Sequence, residues 1–460
     1  MAKSYLFYDL ETSGLNVAED RIMQFGAQRT DMDLNPIGEP INLLVKTTDD
    51  TLPSIGAIKT TGITPQSTQA DGLTEAEFCK YVIEEVFTPD TIIVGFNNIR
   101  YDNQMMRYTL WRNFYDPYEW EWKDGRNKWD ILDVVRLTRA LRPEGIEWPV
   151  DEDNMPVNRL ELITKLNHIN HEHAHDALSD VFATIAVAKL IKEKQPKIYD
   201  WLLNHHDKDS ISRIVNLADP NPFVYASGSY GKKNNFVTVA VPLTVAENDK
   251  IMVYDLRYNL DEVLTDQAAE QEFVFGPIPS PIVKKFDYKK CPAVAPISVL
   301  DADDGWKKVG LKKEQVEANL RSLFSHPEIA EQVRLALEKE REWPENFDPE
   351  SSLYSGFLND KDRYKCSQVR AADANKLADL HPMFDDERLP DLLIHYKAKN
   401  FPNSLTENES IKWEEYRLAR LKRQAPAFVA DLQKASAEGV DDFLIEELTL
   451  WYQSLLPSEY

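Results

Sequence analysis

Apolar and polar residues follow two different periods along the first 195 residues. The segments YLFYDLE, IMQFGAQRTD and PINLLVK are short and rich in apolar and β-branched positions, which predicts three strands. TEAEFCKYVIEEVF repeats apolar residues at helical spacing, and TIIVGFN is an apolar run of strand length that precedes a helical pattern in NQMMRYTLWRNF. DALSDVFATIAVAKLIKEK predicts the clearest helix, with Asp176 as its N-cap. This order predicts an α/β layer with a mixed sheet.

The pattern changes near residue 196. FVTVAVPLTV and KIMVYDL predict short strands, while the prolines of FGPIPSPIVKKFDYKKCPAVAP exclude a regular helix or a central strand. Helical spacing returns near residues 314–342 and dominates from about residue 350. Since 460 residues exceed what one core usually serves, we predict three domains: an α/β domain over 1–195, a β-rich domain over 196–347 and a helical domain over 348–460.

Composition narrows the class of protein. The chain is 43% hydrophobic and 28% charged, as expected of a folded protein. No run approaches the roughly 18 apolar residues of a membrane span, and a carboxylate soon interrupts the apolar N-terminus. We therefore expect no membrane segment, no export signal and a cytoplasmic location. The three cysteines form no CxxC pair, so we expect them reduced and buried, and nothing in the sequence indicates more than a monomer.

The net charge of −24 is unusual for a protein that binds nucleic acid, but binding depends on local fields. Lysine and arginine form four short groups beyond residue 200: GKKNN, KKFDYKK, KKVGLKK and RLARLKR. Each of them alone is typical of a solvated loop or helix face. Together they are candidates for following a phosphate backbone, provided that another signal points to nucleic acid.

Carboxylates follow two of the predicted strands. Asp9 and Glu11 stand two apart near the end of the first strand, so both side chains point to one face. The loop TSGL follows them, and this edge of an open α/β sheet is where ligand sites are usually found. Asp102 comes soon after TIIVGFN and is a candidate for the same site, although it could instead cap the helix that follows.

Four of the nine histidines fall within HINHEHAHDALSD, residues 168–180. If Asp176 is the N-cap, His175 lies outside the helix and can fold back over a site that Asp180 helps to line. A zinc site is the alternative, but the segment has no cysteine and no other anchored ligand is evident. We expect one catalytic histidine, with the others as bystanders and with two of them solvated in the turn before the helix, His168 and His171.

Four carboxylates and a histidine suit hydrolysis of a phosphodiester. Mg²⁺ prefers carboxylate oxygens, water and phosphate as ligands. Two such ions roughly 4 Å apart can hold the attacking water and the leaving oxygen in line. A histidine can remove the proton from that water near neutral pH.

The three motifs together resemble the DEDDh exonuclease superfamily: D-x-E in the first strand, Asp102 after GFN, and H-x₄-D at a helix start, with LPSIGAIKTTGITP as a further similar segment. The blocks FNNIRYDNQMMRYTLWRNFYDPYEWEW, ALRPEGIEWP, AHDALSDVFATIAVAKLI, KCPAVAP and YKAKNFP narrow the likeness to the bacterial exonuclease I family. The resemblance runs from residue 5 to about 402. It implies an RNase H-like exonuclease domain over 1–195, an SH3-like β-rich domain over 196–347 and a helical domain over 348–460.

The resemblance also implies an activity and its residues. The reaction would be 3′→5′ hydrolysis of single-stranded DNA to 5′-mononucleotides, in DNA repair and recombination. Two Mg²⁺ ions, which Mn²⁺ can replace, would act with His175 as general base and substrate contact. The implied metal ligands are Asp9, Glu11, Asp102 and Asp180. Contacts to the terminal nucleotide are expected, by adjacency alone, from Leu10, Thr12 and Asn97.

The family binds the acidic, apolar C-terminal tail of the single-stranded-DNA-binding protein, which implies a tail-binding role for Arg142 in ALRPEGIEWP. A structural salt bridge is the alternative for that residue. Three other functions stay open: an RNA-directed member of the superfamily, a proofreading subunit, and a binding module without activity. The roughly 265 residues after position 195 argue against the first two, and the presence of all five catalytic residues argues against the third.

Overall fold

A five-stranded sheet forms the centre of the first domain in this computed structural model, which describes residues 3–172, 174–247, 250–265, 282–339 and 348–456. The strands are β1 (Ser4–Thr12), β2 (Ile22–Thr30), β3 (Pro36–Leu44), β4 (Thr91–Gly95) and β5 (Asn127–Asp130). Their order is β3-β2-β1-β4-β5. Strand β1 pairs antiparallel with β2 and parallel with β4, and β4 pairs parallel with β5. The predicted mixed sheet is confirmed, with β5 as a strand that the sequence pattern did not indicate.

Helices cover both faces of this sheet. The helices from Ile55 to Ser212 are α1 (Ile55–Thr61), α2 (Pro65–Asp71), α3 (Glu75–Tyr81), α4 (Asp102–Arg112), α5 (Ile131–Leu141), α6 (Leu160–Leu166), α7 (Ala177–Lys194), α8 (Pro196–Asn204) and α9 (Lys208–Ser212), and a π-helical turn (Val82–Val86) extends α3. The last of them, α9, packs through Ile211 with the second domain. Alternate residues of β1 point to opposite faces. Tyr5 and Phe7 pack in one core cluster with α5 and α7, and Leu6 and Tyr8 pack in another with α3 and α4.

Helix α7 begins directly against β2. A Cβ atom on Gly26 would lie 2.5 Å from the backbone carbon of Ala177, so only glycine permits this approach. Asp176 is the N-cap, as predicted, and its carboxylate accepts a hydrogen bond from the backbone N–H of Ser179 at 3.0 Å. The first turn of α7 is therefore fixed close to the edge of the sheet.

The second domain contains a separate antiparallel sheet. Its strands are β6 (Phe223–Ala226), β7 (Val237–Glu247), β8 (Lys250–Asp255), β9 (Val283–Asp287) and β10 (Ala293–Pro296), in the order β10-β6-β7-β8-β9. The last two lie in the proline-rich segment, and both are edge strands, where proline is tolerated. Residues 275–281 of that segment lie outside the described residues. The helices of this domain are α10 (Leu260–Thr265), α11 (Gly305–Lys308), α12 (Lys313–Phe324) and α13 (Glu328–Lys339).

The described part of the third domain is helical. Its helices are α14 (Asp360–Ala371), α15 (Ala374–Asp379), α16 (Leu389–Asn400), α17 (Glu407–Ala437) and α18 (Asp442–Leu455). Met23, Leu52 and Ile58 of the first domain pack with Leu421 and Phe428 of α17 in one core cluster. The predicted architecture of an α/β domain, a β-rich domain and a helical domain is confirmed.

A group of buried charges crosses the interface between the first and third domains. Arg21 has a fully buried side chain and pairs with Asp50 at 2.9 Å and with Glu350 at 2.6 Å. His395 also contacts Glu350, at 3.0 Å, as does Lys399. We call these residues, together with Arg420, the buried ion cluster.

The basic group RLARLKR belongs partly to this interface. Arg420 is buried, and its Nε donates to the backbone carbonyl of Asp50 at 3.0 Å. Arg423 pairs with Glu19 at 2.8 Å. Arg420 is therefore not available to a phosphate backbone, whereas Arg423 is 59% exposed, and a role of this group along a phosphate backbone stays a prediction.

The three cysteines are buried and free, as expected. Within the described ranges, no helix combines the length and apolar character that crossing a membrane would require.

Candidate active site

Three carboxylates meet at the end of β1. Asp9 and Glu11 lie opposite Gly26 and Gln24 of β2, and their spacing of two directs both side chains toward α7. Asp180 reaches the same point from the first turn of α7. One oxygen from each of these three carboxylates lies within 4.8 Å of the others. The predicted convergence of the first and third motifs is therefore present in the fold.

Asp102 approaches from the neighbouring strand. It is the first residue of α4, and only 6% of its surface is exposed. Burial raises the pKa of its carboxyl to about 7, although backbone N–H groups, including that of Leu10, donate to the carboxylate. Asp102 also raises the pKa of Asp9 by repulsion. We call Asp9, Glu11, Asp180 and Asp102 the acidic cluster: the first three place oxygens within 4.8 Å of one another, and Asp102 lies outside that group but interacts electrostatically with Asp9.

Burial and mutual repulsion raise the pKa values of the carboxyls in the acidic cluster. Burial, and then repulsion from Asp102, Asp180 and Glu11, raise the pKa of Asp9 well above its ordinary value. Burial, and then Asp180 and Asp102, raise the pKa of Glu11 to about 8. Among the described residues, no lysine or arginine forms an ion pair with Asp9, Glu11 or Asp102. Buried carboxylates without cationic partners are the donor set that a hard divalent cation prefers, so these residues fit a divalent metal.

His175 lies beside this cluster, outside α7, as the N-cap position of Asp176 predicts. Its φ is +69°, and its side chain is exposed. Its backbone N–H donates to the Asp180 carboxylate, which holds the loop close to that residue. An exposed imidazole next to an acidic cluster is accessible to water and to a phosphate, as a general base must be. The assigned role stays a prediction.

His171 is not the solvated bystander that the sequence suggested. Its side chain is 4% exposed, and its Nε2 lies 2.5 Å from Oδ1 of Asp180. Its Nδ1 lies 3.1 Å from Oγ1 of Thr164 in α6. His168 is exposed, as expected, and His173 lies outside the described residues. The expectation for His171 is wrong because the chain turns back after α6 and brings this ring against Asp180.

Two other polar residues position the acidic cluster and were missed in the sequence. Gln24 of β2 donates to Oδ2 of Asp176 at 2.8 Å and accepts from the backbone N–H of Ala177 at 3.1 Å, which ties α7 to the sheet. Asp130, at the end of β5, accepts the backbone N–H of Asn97 at 2.9 Å. Each is a single polar residue between apolar ones in the sequence. Such a pattern does not indicate which groups the polar side chain will contact.

The residues expected at the terminal nucleotide have different environments. Asn97 occupies a left-handed turn, with φ +70°, and is half-buried. Thr12 is the last residue of β1, and its Oγ1 lies 2.8 Å from the hydroxyl of Tyr101, the residue before α4. Leu10 points the other way: its side chain is buried in the core cluster beneath α3 and α4. A side-chain contact from Leu10 to a nucleotide is therefore excluded by the pleat of β1.

Arg142 lies where the first domain meets the second. It is 23% exposed, and its Nη2 lies 3.4 Å from Oδ2 of Asp303. Its Nη1 donates to the Leu141 carbonyl at 2.7 Å. The structure thus contains the salt bridge that the sequence analysis gave as the alternative role of Arg142. Part of the guanidinium is still exposed to solvent.

Comparisons with known proteins agree with this arrangement. Family models match three successive parts of the chain: "Exonuclease" at residues 6–188, "Exonuclease I SH3-like domain" at residues 206–339, and "Exonuclease I C-terminal domain" at residues 347–455. Exodeoxyribonuclease I of Haemophilus influenzae is 40% identical over 442 residues, which cover 94% of this chain and 93% of that protein.

Solved structures match the whole fold. The zinc-bound form of an Escherichia coli exonuclease I complex with single-stranded DNA superimposes with a TM-score of 0.92 at 35% identity, and covers 99% of this chain and 100% of that one. A structure of SSB and exonuclease I with an inhibitor superimposes with a TM-score of 0.89 at 33% identity, with the same coverage. The likeness therefore extends over all three domains.

Proposed function

Because this chain belongs to the exonuclease I family and is an exodeoxyribonuclease, we propose that it removes 5′-mononucleotides one at a time from the 3′ end of single-stranded DNA. The observation that carries this proposal is the convergence of Asp9, Glu11 and Asp180 within 4.8 Å at the end of β1. The similar Escherichia coli complex contains single-stranded DNA and zinc, which supports both the substrate and a metal site. We also assign the protein to DNA repair and recombination.

The four carboxylates would hold two Mg²⁺ ions, with Mn²⁺ as a substitute. When bound, the ions would supply positive charge for the phosphate in the transition state and make the attacking water more acidic. The protein's part is to keep oxygen donors close together in a buried site: Asp9 and Glu11 from the sheet, Asp102 from the start of α4, and Asp180 from α7. Their mutual repulsion favours cation binding, because a divalent ion relieves it.

His175 would take the proton from the attacking water. Its imidazole is exposed, and both its backbone N–H and its ring act to lower the pKa of the neighbouring Asp180 carboxyl, which is consistent with a position beside the acidic cluster. An imidazole is the side chain best suited to accept a proton near neutral pH. Thr12 is the last residue of β1 and Asn97 lies on the loop after β4, and we assign both of them contacts with the terminal nucleotide.

A cleavage assay with 5′-labelled single-stranded DNA and Mg²⁺ tests this function. The wild type should give a ladder that shortens from the 3′ end and disappears in EDTA. His175→Ala should lower the rate by about 10²–10⁴-fold, the usual contribution of a general base. His168→Asn, a change at an exposed histidine of the same segment, is the matched control and should cut as the wild type does. Equal rates for His175→Ala and the wild type would remove the base assignment, and a preference for RNA of the same sequence would remove the substrate assignment.

We also assign Arg142 to a binding site for the acidic, apolar C-terminal tail of the single-stranded-DNA-binding protein. The structure that contains SSB with exonuclease I supports this partner. Arg142 presents a partly exposed guanidinium whose acidic partner, Asp303, is itself 66% exposed. A tail carboxylate could therefore replace Asp303 at little cost, because exposed ion pairs contribute about 0–1 kcal/mol.

Fluorescence anisotropy with a labelled tail peptide tests this assignment. Arg142→Ala should weaken binding, whereas Asp303→Asn should leave it unchanged or strengthen it by removing the competing carboxylate. Equal affinities for Arg142→Ala and the wild type would show that Arg142 serves only the domain interface.

A further inference from the structure

His171 occupies a position that the proposed reaction does not explain. Its ring is 4% exposed, although most of the segment that carries it is accessible. It contacts one polar group on each side, Asp180 at Nε2 and Thr164 at Nδ1. A histidine with both nitrogens paired and almost no exposed surface is held in a single orientation. The chain therefore fixes this ring against a carboxylate of the acidic cluster.

The turn before His171 shows how the sequence achieves this. The helix α6 ends at Leu166, and His168 then takes a left-handed conformation with φ +56°. The backbone N–H of Ile169 donates to the carbonyl of Thr164 at 2.9 Å, which closes the turn. The chain thus reverses over the end of α6 and places His171 between Thr164 and α7.

The hydrogen-bond donor between His171 and Asp180 can be assigned from the partners. An ionised carboxylate only accepts hydrogen bonds, so the ring must present an N–H to Asp180 at Nε2. The Thr164 hydroxyl lies 3.1 Å from Nδ1 and also 3.1 Å from the backbone carbonyls of Leu160 and Glu161, so it can accept from a protonated Nδ1 or donate to a bare one. In this arrangement His171 takes one lone pair of Oδ1 of Asp180, which leaves Oδ2 and the second lone pair of Oδ1 for a cation.

We propose that His171 is a positioning residue for the metal site: its Nε2–H holds the Asp180 carboxylate in the orientation in which it binds a divalent ion alongside Asp9 and Glu11. The inference rests on the proposed function, since it requires that these carboxylates bind metal. Hydrogen bonds from neighbouring groups commonly orient metal-bound carboxylates, and losing such a partner typically lowers metal affinity or activity by about 10–100-fold.

Two substitutions separate the hydrogen bond from the packing of the ring. His171→Gln places an amide N–H near the position of Nε2 and preserves the donor to Asp180. His171→Phe fills the buried space and removes the donor. If the ring only fills space, His171→Phe should keep the metal affinity of the wild type and His171→Gln should lose it. If the ring orients Asp180, His171→Gln should keep the affinity and His171→Phe should lose it.

The experiment measures Mn²⁺ binding to the full-length protein without DNA, by calorimetry or by the electron paramagnetic resonance signal of free Mn²⁺. His171→Phe should bind Mn²⁺ about 10–100-fold more weakly. His171→Gln should stay within about threefold of the wild type, and His168→Asn should match it. In cleavage assays, the Mg²⁺ concentration for half-maximal rate should rise in His171→Phe, with KM for DNA unchanged.

The outcomes separate this inference from the proposed function. A wild type that neither binds Mn²⁺ nor cuts DNA would remove the proposed function. A wild type that does both, with His171→Phe equal to it in Mn²⁺ affinity, would overturn the role of His171 alone. If His171→Phe does not fold, Thr164→Val keeps the ring and removes the hydroxyl that fixes it. That variant should weaken Mn²⁺ binding by a smaller factor, and wild-type affinity in it would contradict the inference.

Discussion

Two groups of buried carboxylates in this protein have opposite electrostatics. In the acidic cluster, carboxylates face one another, and burial followed by mutual repulsion raises the pKa of Asp9 and Glu11. In the buried ion cluster, burial alone would raise the pKa of Asp50 and Glu350, yet neighbouring cations lower both: Arg21, Arg420 and Lys399 act on Asp50, and Lys399, Arg21 and His395 act on Glu350. Asp50 and Glu350 are fully buried, whereas Asp9 and Glu11 are partly exposed, so the extent of burial does not explain the opposite signs and the presence of cationic partners does.

The difference indicates what each group is for. A buried carboxylate that has arginine and lysine partners is already neutralised, and its place at a domain interface gives it a structural role. A group of buried carboxylates without such partners destabilises the fold unless a cation from solution neutralises it. Strong pKa shifts of this second kind are typical of functional sites. The opposite pKa shifts therefore distinguish the acidic cluster from the domain interface.

The largest expected effect is on catalysis, at the acidic cluster. Asp9→Asn should lower the cleavage rate by at least about 10³-fold, since charge stabilisation by a bound metal is worth several kcal/mol. The same change should raise the midpoint of thermal unfolding in EDTA, because a neutral amide removes the repulsion. Glu39→Gln, on an exposed position of β3, is the control and should change neither. A lower unfolding midpoint for Asp9→Asn would show that repulsion within the acidic cluster does not destabilise the fold.

The next effect is on stability, at the buried ion cluster. Arg21→Met should lower the free energy of unfolding by about 3–5 kcal/mol, because Asp50 and Glu350 lose their partner while buried. Arg423→Met removes an ion pair whose arginine is 59% exposed, and should cost about 1 kcal/mol or less. Urea denaturation measures both. A loss below about 1 kcal/mol for Arg21→Met would show that the buried ion pairs of Arg21 contribute no more to stability than the exposed pair of Arg423.

The residues of the acidic cluster could be identified in the sequence because local rules place them. A period of two puts Asp9 and Glu11 on one face, and the N-cap rule puts Asp176 at the start of α7 with His175 outside it. The end of β1, the start of α4 and the start of α7 are local features of the sequence, and they carry the predicted ligands. The fold class could be predicted from the strand and helix periods of the apolar residues.

The buried ion cluster could not be found in this way. Arg21 and Glu350 are 329 positions apart, and no local pattern links them. Arg420 stands in a basic group that looks solvated, because its partner Asp50 lies in another domain. His171 was missed for a related reason: its burial depends on a left-handed turn at His168, a conformation that the sequence does not signal with glycine.

A smaller effect should follow from moving α7 relative to the sheet. Gly26→Ala places a methyl group 2.5 Å from the backbone of Ala177, so the start of α7 must shift. Overpacking of this kind costs about 1–3 kcal/mol. Since α7 carries Asp180, Mn²⁺ affinity should fall, while the buried ion cluster stays intact. Gly56→Ala, at an exposed position of α1, is the control. Unchanged Mn²⁺ affinity in Gly26→Ala would show that the site tolerates movement of α7.

The smallest effect is the dependence of stability on pH. The pKa of Glu11 is raised to about 8, and that of Asp102 to about 7, above the ordinary values near 4 that these groups have in the unfolded chain. The folded protein therefore binds more protons than the unfolded chain between pH 4 and 8, and stability falls as pH rises through this window. The buried ion cluster has the opposite sign, with lowered pKa values for Asp50 and Glu350, and its contribution is lost only in acid.

Urea denaturation in EDTA at several pH values measures this contrast. The wild type should lose at least about 1 kcal/mol between pH 5 and 9, since one pKa unit corresponds to about 1.4 kcal/mol. Glu11→Gln should flatten the curve, and saturating Mg²⁺ should flatten it in the wild type, because the metal replaces the protons. Arg423→Met should keep the wild-type slope. A wild-type curve that is level in EDTA would mean that the carboxylates of the acidic cluster do not repel one another in the folded protein, and the distinction between the two groups would then rest on geometry alone.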